Sequence, residues 1–203
     1  MEAAAVATAR GRPREFCVDG ALAAALRVFW RKGYEGASLT DLTAEMGITR
    51  PSLYAAFGNK ESLFRKALDL YEREKLDYVH TALEAPTARG VAERLLHGAL
   101  AMQTSPGELR GCLGVIASVS CGDAAQTIRD EVIRRRASSD AALLQRLERA
   151  KAEGDLPPHV DVYGLSRFLY ALLNGMAVQA SSGATHDELE RMVETSLQLW
   201  PST

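Results

Sequence analysis

Ser38-Leu39-Thr40-Asp41-Leu42-Thr43-Ala44-Glu45-Met46-Gly47-Ile48-Thr49-Arg50-Pro51-Ser52-Leu53-Tyr54-Ala55-Ala56-Phe57-Gly58-Asn59 is the stretch on which the reading of this chain turns. Ser38, with Asp41 three residues later, has the spacing of a capping box, so a short helix opens there and runs through Met46. Gly47 stops it. After a turn at Gly47-Ile48-Thr49, a second short helix from Arg50 to Phe57 takes Thr49 as its cap. It tolerates Pro51 because first-turn amides have no intrahelical partner. Two short helices joined by a tight Gly-containing turn are the signature of a helix-turn-helix, whose second helix lies in the DNA major groove. At about 1.5 Å per residue that helix spans roughly 12 Å, enough for its first turn to meet base edges. Thr49, Arg50 and Ser52 can hydrogen-bond to bases or phosphates, and Tyr54 offers a phenol to a phosphate. Leu53 and Phe57 face the core.

Outward from this unit, every long segment has helical rather than alternating periodicity, and no strand or internal repeat emerges. Val18, Leu22, Ala25, Leu26 and Phe29 form one apolar stripe on a first helix that ends at Lys32-Gly33. Asn59 caps a long helix expected to run unbroken from Lys60 to about Leu83. Further helices are expected over about 88–104, 112–120, 123–153 and 161–181, separated by Ser105-Pro106-Gly107 and Gly154-Asp155-Leu156-Pro157-Pro158. A second capping box, Thr185-His186-Asp187-Glu188, opens the last. The fold class is all-α, with about nine helices.

From Gly33-Tyr34-Glu35-Gly36-Ala37, through the stretch quoted above, to Lys60-Glu61-Ser62-Leu63-Phe64, the sequence resembles the DNA-binding domain of the TetR (tetracycline-repressor-like) family of bacterial regulators. The resemblance implies an N-terminal three-helix helix-turn-helix domain joined by the fourth helix to a C-terminal helical ligand-binding and dimerisation domain. Most such proteins are repressors released from an operator when a small molecule binds. Positions matching Thr40, Thr49, Arg50, Ser52, Tyr54 and Lys60 are usual DNA contacts in that pattern. Ala55 and Ala56 depart from it, since many members carry a Tyr or His there; what remains is apolar contact with a thymine methyl. Gly111-Cys112-Leu113 is an element seen in several members. The expected division is a flexible basic arm over 1–16, a helix-turn-helix domain over 17–62 and a ligand-binding and dimerisation domain over 63–203.

Composition agrees with a folded regulator. The 203 residues are 47% hydrophobic and 25% charged, with a formal net charge of −2. Residues 1–60 carry eight Lys/Arg against six Asp/Glu, and the remainder carries sixteen against twenty. A mildly basic front on an acidic body fits a localised phosphate-binding face. No Gly-rich phosphate loop, nucleophile elbow or paired-carboxylate motif marks an enzyme. His80, His97, His159 and His186 show no metal-ligand spacing with one another or with the cysteines, so neither metal nor cofactor is expected. The three cysteines form no disulfide framework, the first nine residues lack a secretory pattern, and the apolar run from Phe168 to Ala180 is too short to span a bilayer. A cytoplasmic protein without membrane contact is the expectation.

Several features admit two readings. Arg10-Gly11-Arg12-Pro13-Arg14 is either a minor-groove hook carrying Arg10, Arg12 and Arg14 into A·T-rich DNA or a disordered basic leader. Arg134-Arg135-Arg136 reads as a solvated helix face, with Asp130 and Glu131 placed to pair with Arg134 and Arg135. Cys112 is inert core or a sensor of oxidants; Cys121, nine residues on, would lie about 13 Å away on a continuous helix, beyond the roughly 7 Å that a disulfide spans. An apolar cavity is expected between about Tyr71 and Met176. Its walls would be Tyr71, Tyr78, His97 and Met102, then Cys112, Ile116, Phe168 and Met176, and its ligand a hydrophobic or amphipathic effector. The last two helices are expected to pair two copies of the chain over a palindromic operator, as the resemblance implies. On the first, the contacts would be Leu169, Leu172 and Leu173; on the second, Leu189, Met192, Val193, Leu197 and Trp200. A helical small-molecule-binding or scaffold protein whose helix-turn-helix only packs is the alternative.

Overall fold

A computed structural model describes residues 17–120 and 125–201 of the chain. The described residues form ten helices and no strand. Helix α1 (Val18–Gly36) leaves helical geometry at Gly33, and α2 (Leu39–Met46) and α3 (Arg50–Phe57) follow. Next come α4 (Lys60–Lys75), α5 (Asp77–Leu83), α6 (Ala88–Thr104) and α7 (Leu113–Ser120). The chain closes with α8 (Gln126–Ala152), α9 (Val162–Ser181) and α10 (His186–Gln198).

The expected single helix from Lys60 to Leu83 is two. Leu76 departs from helical geometry (φ −110°, ψ 8°), which ends α4 and starts α5. The break turns Tyr78 onto α6 at Gly98. A Cβ added to Gly98 would lie 2.3 Å from Tyr78 Cδ2, so only glycine admits the ring there.

Two apolar clusters organise the fold. One joins α1, α2, α3 and most of α4 to α7 and the start of α8, around Phe29, Leu42, Leu53, Leu63, Phe64 and Ile128. The other joins α5 and α6 to the rest of α8, α9 and α10, around Leu95, Leu96, Leu143, Leu147, Leu169 and Leu189. Helix α4 lies in the first cluster through Leu63, Phe64, Ala67 and Leu68, so the expected boundary after residue 62 falls within a continuous helix. Side-chain hydrogen bonds join distant segments of the larger part. Buried Arg146 of α8 donates from Nε to the Leu83 carbonyl and from Nη2 to the Ala85 carbonyl, at 3.2 and 2.6 Å. Gln103 engages the Gly111 backbone with both ends of its amide. No helix among the described residues is long and apolar enough to cross a membrane.

Candidate nucleic-acid interface and effector cavity

Local chemistry builds the reading head. The Ser38 hydroxyl accepts from the Asp41 amide, and the Asp41 carboxylate accepts from the Ser38 amide, closing the capping box of α2. Gly47 ends that helix in the left-handed region (φ 65°), where a side chain is strained, and so fixes the angle at which α3 leaves. The Thr49 hydroxyl caps α3 by accepting from the Ser52 amide. Leu53 and Phe57 turn into the core, while Arg50, Tyr54, Ala55 and Ala56 face outward.

Two contacts order the outer surface. Arg50 Nη2 donates to Thr40 Oγ1 at 2.9 Å, tying the first turn of α3 to α2. Lys60 lies over the Tyr34 ring, 4.6 Å from its centroid. Behind this surface, Arg27 and Arg31 pair with Glu45, and Lys32 pairs with Asp41 at 2.7 Å. The Lys32 ammonium and the Ser38 cap together bring the Asp41 carboxyl down to about 2. Thr40, Thr49 and Arg50 are exposed with Tyr54; Ser52 in the first turn of α3 and Lys60 at the start of α4 are half-buried. Arg10, Arg12 and Arg14 lie outside the described residues.

A cavity of about 360 Å³ lies between α4, α5, α6, α7, α8 and α9. Leu68, Leu76, Val79, Leu95, Ala99 and Val132 give it apolar walls, with Tyr71, Tyr78, Met102 and Cys112 as expected from the sequence. The Tyr71 hydroxyl donates to Cys112 Sγ at 3.4 Å, and its ring meets Trp30 of α1 edge-on, centroids 4.8 Å apart. Burial pushes the Tyr71 and Tyr78 phenols far above their ordinary range, so both are neutral donors.

The four other expected wall residues lie elsewhere. His97 is exposed on the outer side of α6. Ile116, one turn beyond Cys112, packs against the α1 cluster, and Met176 is buried in the α9 core. Phe168 is 43% exposed, because the face of α9 that meets the cavity carries Tyr170, Leu173, Asn174 and Ala177.

Sequence reasoning missed the polar wall. Glu72, Arg135, Arg136, Ser139, Tyr170 and Asn174 all border the cavity. Arg135 and Arg136 are half-buried rather than solvated; Arg134 alone of the three is fully exposed. Arg135 Nη1 donates to Asp69 at 2.6 Å and to Glu72 at 2.8 Å, both on α4, while its Nε donates to Glu131 at 2.8 Å. Burial alone would lower the Arg135 pKa, but the three carboxylates outweigh it and raise the value, and Arg135 in turn lowers Glu131. Asp130 does not pair with Arg134 but accepts from Gln126. A signal was present in the sequence. The inward stripe of α8 reads Ile128, Val132, Leu143, Leu147, Ala150 when apolar, and it is interrupted by the half-buried Arg135 and Arg136 at helical spacing.

Most of the expected dimer contacts are core positions of the protomer. Leu169, Leu189 and Val193 are fully buried within the protomer, and Leu197 and Trp200 nearly so. Leu172, Leu173 and Met192 are half-buried against the same core, Leu173 also bordering the cavity. The apolar stripe of α10 packs inward on α6 and α9, so a stripe read from periodicity alone identified the core face. Exposed apolar side chains of α9 are Tyr163, Phe168 and Val178. His186, Asp187 and Glu190 gather on the exposed first turn of α10, where Thr185 and Glu188 form the second capping box.

Residues 21–67 match the family described as bacterial regulatory proteins, tetR family, and residues 92–196 match the tetracyclin repressor-like C-terminal domain. The chain is 36% identical to the HTH-type transcriptional repressor ComR of Escherichia coli (strain K12), over 97% of this chain and 94% of that protein. It is 30% identical to the uncharacterized HTH-type transcriptional regulator YezE of Bacillus subtilis (strain 168), over 93% and 98% of the two chains. Among solved structures it is similar to a cysteine mutant of the TetR family transcriptional regulator CifR complexed with 26 bp double-strand operator DNA. Identity there is 41% and the TM-score 0.87, covering 94% of this chain and 100% of the other.

Proposed function

The chain belongs to the TetR family of bacterial regulatory proteins, and from that membership we propose that it is a homodimeric transcriptional repressor released from a palindromic operator by a small-molecule effector. The observation that carries the DNA-binding part is the α2–α3 unit. Leu53 and Phe57 anchor α3 inward, while Arg50, held by Thr40, and Tyr54 are presented outward. Thr40, Thr49, Arg50, Ser52, Tyr54 and Lys60 are the proposed contacts, with Arg10, Arg12 and Arg14 reaching an adjacent minor groove. The protein acts by binding rather than turnover, in the cytoplasm where its operator is.

Helix α4 couples the two ends of the molecule. It begins at the reading head, capped by Asn59, and about two turns later presents Leu68, Tyr71 and Glu72 to the cavity, with Leu76 just past its end. A ligand that displaces these residues tilts a rigid rod whose other end sets the separation of the two recognition helices.

The test is a mobility shift on fragments of the upstream DNA at several salt concentrations. A repressor gives a shift whose affinity falls steeply with salt, whereas a scaffold gives none. Arg50→Ala should cost about 1–3 kcal/mol and relax the preference at one base position, and Lys60→Ala should weaken all sequences equally. An unchanged base preference in Arg50→Ala removes that residue from the reading surface.

A further inference from the structure

Resting on the reading of the cavity as the effector site, we propose that its ligand is uncharged, with an apolar body and a ketone-like acceptor oxygen, and that the Tyr78 hydroxyl donates to that oxygen.

The charged groups around the cavity are already answered. Arg135 is held by Asp69, Glu72 and Glu131, so Glu72, the carboxylate on the wall, is committed to it. Arg136 has an interaction of its own, and His80 is exposed to solvent. An ion entering the cavity would give up its hydration and would have to break one of these pairs to find a partner. A neutral molecule faces no such cost.

What stands open is a neutral donor. Tyr71 and Tyr78 both border the cavity, and burial keeps both phenols protonated. The Tyr71 hydroxyl donates to Cys112 Sγ, whereas the Tyr78 hydroxyl has no hydrogen-bond partner among the described residues. Its neighbours surround the cavity. Tyr71 of α4, Cys112 just ahead of α7 and Tyr170 of α9 all line it, and each lies close enough to Tyr78 for the two to act on one another electrostatically. A buried donor left unpaired is costly, so an acceptor brought by the ligand is favoured at this point. Leu68, Leu95, Ala99 and Leu173 line the remainder and suit a hydrocarbon body.

Tyr78 also sits where a bound ligand reaches α4. It lies two residues past Leu76, where α4 ends and α5 begins, and its ring is seated on Gly98 of α6. A ligand held by its hydroxyl is tied to that joint. The contact with Gly98 is made by Cβ, Cγ and Cδ2, so Tyr78→Phe removes the donor and keeps the packing.

Three probes with one benzene ring separate the cases: acetophenone, ethylbenzene and sodium benzoate, each titrated calorimetrically into the full-length protein and into mobility shifts on its operator DNA. Acetophenone should bind about three- to tenfold more tightly than ethylbenzene, the range of a hydrogen bond between neutral groups, and benzoate should bind most weakly. In Tyr78→Phe, acetophenone should fall to the level of ethylbenzene, while unchanged ethylbenzene binding and an unchanged ligand-free DNA shift show that the cavity and the fold are intact. Ethylbenzene or benzoate binding as tightly as acetophenone overturns the proposal, as does binding of none of the three. A Tyr78→Phe variant that keeps the preference for acetophenone overturns it too. Acetophenone that binds through Tyr78 and leaves DNA bound at saturation would instead remove the cavity as the effector site. Failure of the ligand-free protein to shift any upstream DNA would overturn the repressor reading, a separate result.

Discussion

The reading head and the body that carries the cavity are built by different kinds of interaction. In the head, each of α1, α2, α3 and α4 starts at a side chain that accepts a backbone amide three residues on: Cys17, Ser38, Thr49 and Asn59. In the body, Thr87 and Thr185 cap α6 and α10 in the same way, but α5, α8 and α9 start with no side-chain cap. What holds those three are bonds between distant segments, such as Arg146 on the α5–α6 connection, Asp155 accepting from the Ala88 amide, and Arg135 on α4. The head is thus stiff in each small piece. The body has its shape only as a whole, which suits a region whose helices must shift around a ligand.

The comparison is broken most forcefully in the core of the body. Leu189→Asp or Val193→Asp buries an unpaired charge at a position with no solvent access and should cost on the order of 4 kcal/mol or more, unfolding the protomer. Phe168→Glu, on the exposed face of α9, should leave thermal unfolding of the protomer nearly unchanged while weakening self-association in sedimentation. Folded monomers from Leu189→Asp would show that α10 faces a partner and not its own core.

Gly98→Ala tests a single long-range contact. Its methyl would overlap the Tyr78 ring, so a loss of about 1–3 kcal/mol by chemical denaturation is expected. Hydrogen exchange should quicken in α5 and α6 and not in α2 and α3. Uniform quickening would mean that head and body are one cooperative unit.

Ser38→Ala is the matching test in the head. Loss of the cap should cost about 1 kcal/mol, and faster exchange should be confined to the first turn of α2 and its neighbours. Smallest of all is the effect of acid on the same cap. Asp41 titrates at about 2 against an ordinary 3.8, so its support is complete above 3.8 and is lost as pH falls toward 2. An NMR titration of the Asp41 carboxyl and the Ser38 amide should follow one curve in that window, and Lys32→Ala should move it upward. A midpoint near 3.8 in the wild type would remove the cap and the ion pair as its cause.

The same difference decides what was legible in the sequence. Capping residues act over three or four positions, so Ser38, Thr49, Asn59 and Thr185 announced their helices directly. Which side of an apolar stripe meets which neighbour is not written locally. Leu189 and Val193 have the periodicity of an interface and of a core equally, and only the placement of α6 decides between them. Arg135 and Arg136 read as surface because paired charges on a helix usually are, yet the stripe through Ile128, Val132 and Leu143 passes beneath them. The break at Leu76 has no Gly or Pro to mark it. It goes with the placement of Tyr78 against Gly98, a pairing across twenty residues.

The edge-on contact of Trp30 with Tyr71 gives the molecule an optical gauge at the junction of its two parts. Trp30 belongs to α1 of the head, and Tyr71 is both its neighbour and a wall of the cavity. The other tryptophan, Trp200, sits near the end of the chain in the second apolar cluster. Indole emission shifts to longer wavelength when the ring gains water. A separation of α1 from α4 would therefore be visible in the intrinsic fluorescence, without any label; a Trp200→Phe variant would leave Trp30 as its single source.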